Sequence, residues 1–81
     1  DGYYVSGVKT PVAKDGYTFV GWHIAVVDND GTITGIGEIF DLANDTVDSE
    51  LCNSTGTAIG STYKMLQLVA VFQNAEGELV W

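Results

Sequence analysis

Arginine is missing altogether from these 81 residues, and cysteine, proline, histidine and methionine occur once each. Each scarcity closes a class of explanation. A lone Cys52 cannot form an internal disulfide, and no Cys/His spacing of the metal-binding kind exists. The single His23 has no serine or cysteine obviously partnered to it for nucleophilic catalysis, so a structural place on a strand is expected. Cys52 has no basic neighbour in sequence to lower its pKa, which leaves an inert thiol. Only Lys9, Lys14 and Lys64 oppose eleven acids, giving a net charge of −8. Such a surface repels phosphate backbones and anionic lipid headgroups, which argues against nucleic-acid and membrane-surface binding. The text contains neither a signal-peptide pattern nor a transmembrane run, and it reads as a piece excised from a longer protein.

What is present is apolar and strand-forming. Hydrophobic residues make up 46% of the chain, enough for a small core and too many for a disordered segment. Valine, isoleucine, threonine and aromatics recur between ten glycines, which favours short strands joined by turns in one domain over residues 1–81. Residues 3–8, YYVSGV, read as a first strand. Residues 17–27, YTFVGWHIAVV, read as the clearest one, with Val20, Trp22, Ile24 and Val26 on one face at period two. Tyr17 and Phe19 have the opposite parity, so Gly21 is expected at a bulge that lets Phe19 and Trp22 both reach the interior. Residues 32–40 form a partner strand, in a register that sets Val27 opposite Ile33 and Ile24 opposite Ile36. Gly35 and Gly37 mark irregularity in that strand. Residues 40–51 hold at most a short helical turn, and 52–62 read as an extended loop. Residues 63–73 form a central strand, apolar on both parities. NAEG at 74–77 is a turn into a terminal ELVW.

The connection DNDG at 28–31 resembles a calcium loop at first sight. With Gly31 at the sixth position of such a loop, Asp30 and Asp28 fall correctly at five and three. Val26 then occupies position one and Gly37 position twelve, so two essential oxygen ligands are missing. Starting at Asp28 puts Ile33 at the glycine position and Ile39 at twelve, which also fails. The expected structure is a three-residue hairpin loop of Asn29, Asp30 and Gly31, capped by Asp28, with positive φ at Gly31. Paired carboxylates for glycoside hydrolysis need a deep cleft, which a chain this short rarely builds. Asn53-Ser54-Thr55 matches an N-glycosylation acceptor, a short signal that matters only in a eukaryotic secretory setting. Trp22, Trp81, Tyr3, Tyr4 and Tyr63 supply the aromatics for a sugar-stacking platform, or else fill the core.

One stretch carries a family pattern. In AKDGYTFVGW, Pro11 leads into Lys14, Asp15, Gly16, Tyr17, Thr18, Phe19, Gly21 and Trp22, and this resembles the Listeria–Bacteroides repeat, also called the internalin B-repeat. IFDLANDTV at 39–47 is similar to that family's aromatic–Asp–aromatic–Ala–x–Asp–x–Val stretch. LQLVAVF at 66–72 is similar to its closing strand, with Ala70 and Phe72 at the final pair. The resemblance covers about half the chain. Residues 48–62 stand where the family has a short link.

The resemblance implies an α+β, strongly β-rich domain. Its form would be a small β-grasp-like mixed sheet with hairpins and at most one short helix, with an all-β fold as the alternative. It further implies a noncatalytic module of a bacterial cell-surface or secreted protein, extracellular at the cell surface or cell wall. Such a module acts as stalk, spacer or adhesion-associated domain, without cofactor, metal or catalytic residues. Tyr17, Phe19, Trp22, Phe40, Ala70 and Phe72 would be structural motif positions, with all but Phe40 named to the core, while Gly16 and Gly21 set backbone geometry. Partners would be neighbouring domains of the same chain and a protein or glycan on a host or neighbouring cell. The alternative is a carbohydrate- or ligand-binding module that uses exposed aromatics and the 48–62 loop.

Overall fold

The computed structural model describes residues 2–56 and 64–81. The chain is β-rich α+β, with strands β1 (Thr18–Val27), β2 (Ile33–Phe40), β3 (Leu68–Gln73) and β4 (Leu79–Val80) and one helix, α1 (Ser49–Thr55), among the described residues. The strands form one sheet in the order β2-β1-β3-β4, so β1 and β3 are central. Every pairing between these strands is antiparallel, which corrects the expected mixed sheet. Two short hairpins make two of the three pairings, and a short connection returns the chain antiparallel to its neighbour.

Both hairpins use the same device. Asp28 Oδ1 accepts from the Asp30 and Thr32 amides at 2.9 and 3.0 Å. Asn74 Oδ1 accepts in the same way from Glu76 and Glu78, at 3.0 and 2.9 Å. Gly31 and Gly77 follow at φ 85° and 83°, where a side chain would be strained. The two loops, 29–31 and 75–77, are therefore three-residue turns closed by an Asx cap, as the turn residues imply. Replacing Asp28 by Ala strands two turn amides; the expected cost is about 1–2 kcal/mol, read as a lower urea midpoint at unchanged m-value.

Register departs from the simple hairpin count. Val27 pairs with Ile33 as expected, but Ile36 pairs with Ala25 instead of Ile24. β2 gains one residue at Thr34 and a second between Ile36 and Ile39, where Ile24 faces the Gly37–Glu38 step. The two irregularities flank Gly35 and include Gly37. On the other side of β1 the ladder steps from Phe19↔Phe72 to Gly21↔Val71, leaving Val20 as the bulged residue. That bulge brings Phe19 onto the same face as Trp22, and their rings meet edge-to-face at 6.0 Å. Gly21, at φ 147°, makes room for a neighbour: a Cβ there would stand 3.2 Å from Ile39 Cδ1.

The 3–8 strand does not form. Tyr3 alone bridges Val47, through amide–carbonyl bonds of 3.0 and 2.8 Å, and Tyr3 and Tyr4 are exposed. Glycines at positive φ on either side, Gly2 and Gly7, bend the segment away from continuous pairing. The third strand is also shorter than expected, starting at Leu68, although Ala25 N–H still reaches the Gln67 carbonyl at 2.8 Å. The helix lies later than the 40–51 stretch suggests and takes in part of the expected 52–62 loop. Asp48 fixes its start, accepting from the Leu51 amide at 2.7 Å as N-cap. Residues 57–62 of that loop, and Tyr63 at the start of the expected third strand, lie outside the described residues.

The core sits at one end of one sheet face. Ile24, Phe40 and Val47 are buried, with Val5, Leu42, Leu51, Cys52, Leu66 and Leu68 packed against them. Ala25 and Val71, on the opposite face of the two central strands, are buried as well.

Candidate functional site

Tyr17, Phe19, Trp22, Ala70 and Phe72 are half-buried. Phe40 belongs to the core, at 3% exposure. The cause is where the cover lies. Val5, Leu42, Leu51 and Cys52 pack against Ile24, Phe40 and Val47, whereas Phe19 pairs with Phe72, which neighbours Val80 of β4, and Trp22 stands between the two groups, paired with Phe40. Phe72 meets Phe19 at 5.5 Å, again edge-to-face. The sequence correctly groups these aromatics, and the bulge that aligns them is legible at Gly21. Burial at their end needs a covering element, which periodicity does not report.

Beside this cluster lies a groove of about 420 Å³, lined by Val12, Lys14, Tyr17, Phe72, Val80 and Trp81. Phe72 is shared between the cluster and the groove. The Gly16 turn, at φ 85°, sets Tyr17 beneath the side chain of Lys14, whose Nζ stands 4.6 Å over the ring. A bond from the Tyr17 amide to the Lys14 carbonyl, 3.0 Å long, closes that turn. Trp81 is 54% exposed and Val12 95%. A volume of this size is ordinary for a ligand site, and the lining mixes apolar walls with a few polar groups. Sequence reading named Trp81 and Tyr17 for other reasons and passed over Val12 and Val80. An apolar residue in the polar lead-in KTPVAKDG was the available signal for Val12.

The other motif residues resolve into structural tasks. His23 is half-buried and its Nδ1 lies 2.9 Å from the Gly37 carbonyl oxygen. A carbonyl only accepts, so Nδ1 carries the proton and the ring latches β1 to the irregular part of β2. Lys64 Nζ donates to the Asn53 main-chain carbonyl at 3.0 Å. Asn53 is exposed on α1, and the Thr55 hydroxyl donates to the Leu51 carbonyl at 2.8 Å. Tyr3 lines a separate cleft with Val5, Val47 and Lys64, so Tyr3 and Trp81 do not share one platform.

Asp41 and Asp45 are tied into one turn. Asp41 accepts from the Ala43 amide at 2.9 Å and from Asn44 Nδ2 at 2.7 Å, while its own amide donates to Asp45 Oδ2 at 2.8 Å. The Asn44 side chain, and then the Ala43 amide, hold the Asp41 carboxyl below its ordinary value of 3.8. A carboxyl depressed in the folded state contributes stability that is present above its unfolded pKa. That contribution is lost as pH falls through the lowered folded value. An NMR titration is expected to give Asp41 a midpoint below 3.8, moved upward by Asn44→Ala. Among the described residues, no three His, Cys, Asp or Glu side chains converge as metal ligands.

Compared with protein-family models, curated proteins and solved structures, the chain matches none.

Proposed function

We propose that this chain is a noncatalytic interaction module of a bacterial cell-surface or secreted protein, of the Listeria–Bacteroides repeat kind, acting as a stalk, spacer or adhesion-associated domain. The observation that carries the reading is the fate of the motif side chains. Phe19, Trp22 and Phe72 spend their rings on one another. His23 and Asp41 are engaged with backbone and turn partners. Side chains committed in this way build a scaffold and a surface. The module would join neighbouring domains of one chain and meet a protein or glycan on a host or neighbouring cell.

The test is display. Antibody raised against this domain should label intact cells of the organism that carries it, and external protease should abolish the label. Labelling that requires lysis would overturn the surface assignment. A ligand-binding role is a second reading, favoured by the exposed Trp81 in the groove. It differs in predicting a specific ligand whose affinity depends on that ring.

A further inference from the structure

The sheet has two apolar faces. On one, Val5, Leu42, Leu51 and Cys52 pack against Ile24, Phe40 and Val47. On the other, which carries Ala25 and Val71, no helix or strand of the described residues is stacked. We propose that this second face is the contact between two copies of the chain, packed sheet on sheet about a two-fold axis. The proposal rests on reading the chain as an interaction module and names a second copy as its partner.

A solvated face of an antiparallel sheet carries polar residues between the apolar ones turned inward. This face does not. Ile39 is paired with His23 and reaches over Gly21, where an added Cβ would stand 3.2 Å from its Cδ1. Gly21 is paired in turn with Val71. The bulge that turns Phe19 toward Trp22 leaves Val20 on this side, and Leu79 of β4 joins it opposite Gln73. Ile39, Val20 and Leu79 are 61%, 38% and 44% exposed, so an apolar band crosses the four strands around the buried Val71.

Charge selects the occupant. A net −8 makes copies of this chain repel one another wherever their acids meet. Glu38 is the only charged residue in the four strands, and it stands with Ile24 and Leu51 on the covered side. The second face therefore lets two copies approach without setting strand carboxylates against each other. A charged partner would find no counter-charge on the strands there, and a sugar would find few side chains to bond.

Geometry selects stacking over edge pairing. β2 is an edge strand with two irregularities in its register, and the opposite edge, β4, pairs over only two residues. Such edges are poor templates for a further strand. Strands of six to ten residues, at about 3.3 Å per residue and about 4.8 Å apart, give the face roughly 400 Å² of plane. Two faces together bury on the order of 1,000 Å², near the lower end for specific interfaces, so the dimer is reversible and forms at high concentration.

The experiment is sedimentation equilibrium of the chain over roughly 10 μM to 2 mM. A reversible monomer–dimer equilibrium is expected. Ile39→Lys brings like charges into the contact and should weaken the dimer about tenfold or more, and Val20→Lys should do the same. Val26→Lys, 49% exposed beside Ile24 on the covered side, should leave it unchanged. Thermal midpoints of the three variants, taken at low concentration where the chain is monomeric, should match wild type because all three sites are exposed. A wild-type chain that stays monomeric throughout the range overturns the proposal. So does an Ile39→Lys or Val20→Lys variant of native midpoint that dimerises as wild type does, or an equal loss in Val26→Lys. Co-sedimentation of the monomer with uncharged phosphatidylcholine vesicles, abolished by Ile39→Lys, would assign the face to lipid and overturn it too. Cell-surface labelling is independent of all these results, so a monomeric chain with positive labelling removes the dimer and leaves the module.

Discussion

Phe40→Ala is expected to destabilise the chain by about 3–5 kcal/mol. Phe40 closes β2, is 3% exposed, and packs in the cluster with Ile24 and Val47. Truncation removes a ring from a small, dense core and leaves a cavity that its neighbours fill only partly. A domain of this length has a total stability of roughly 4–12 kcal/mol, so the loss takes a large share of it. Each kcal/mol moves the thermal midpoint by about 4–8 °C at this size, which puts the variant near or beyond unfolding at room temperature. Urea denaturation checks the value. Ile39→Ala is the matched control on the same strand, 61% exposed, with an expected change within about 0.5 kcal/mol. Equal losses in the two variants would mean that the core has been placed on the wrong face of β2.

Gly56→Ala is the second large effect, and here a single methyl is added. Gly56 caps α1, its amide donating to the Cys52 carbonyl at 2.8 Å. Its φ of −81° suits any residue, so backbone conformation is not the obstacle. Space is. A Cβ at this position would collide with the Cys52 carbonyl oxygen and lie 2.8 Å from the Met65 carbonyl oxygen. Both are backbone atoms, which yield only if the helix end or the approach to β3 shifts. The expected cost is about 2–3 kcal/mol, measured as a lower urea midpoint. Gly35→Ala meets nothing within 4 Å and serves as the contrasting glycine. A Gly56→Ala variant as stable as wild type would show that the two chain segments are farther apart than described.

Local chemistry was the legible part of this fold. The Asp28 and Asn74 turns, the central strands and the bulge next to Gly21 all follow from residues within a few positions of one another. The β-rich class follows with them. Register in β2 did not, because two added residues shift the pairing without altering composition, and only Gly35 and Gly37 hint at them. The helix was misplaced for a related reason: Asp48 is a strong cap, but nothing in 49–55 has the length or amphipathic pattern that identifies a helix in text. Phe19, Trp22 and Phe72 meet ring to ring and stay half-buried. Whether Phe19, Trp22 and Phe72 are covered depends on where α1 and the N-terminal segment land, a tertiary fact that strand periodicity does not contain. The groove was legible only in pieces, since Val12 and Tyr17 come from one end of the chain and Phe72 and Trp81 from the other.

The central claim is that the interior lies where the central strands meet their cover, at Ile24, Phe40 and Val47 on one face and Ala25 and Val71 on the other. Native-state amide hydrogen exchange addresses it residue by residue. The account predicts the slowest exchange in β1 and β3, with Ala25 and Val71 among the most protected amides. Protection no greater there than in the edge strand β4 would contradict it.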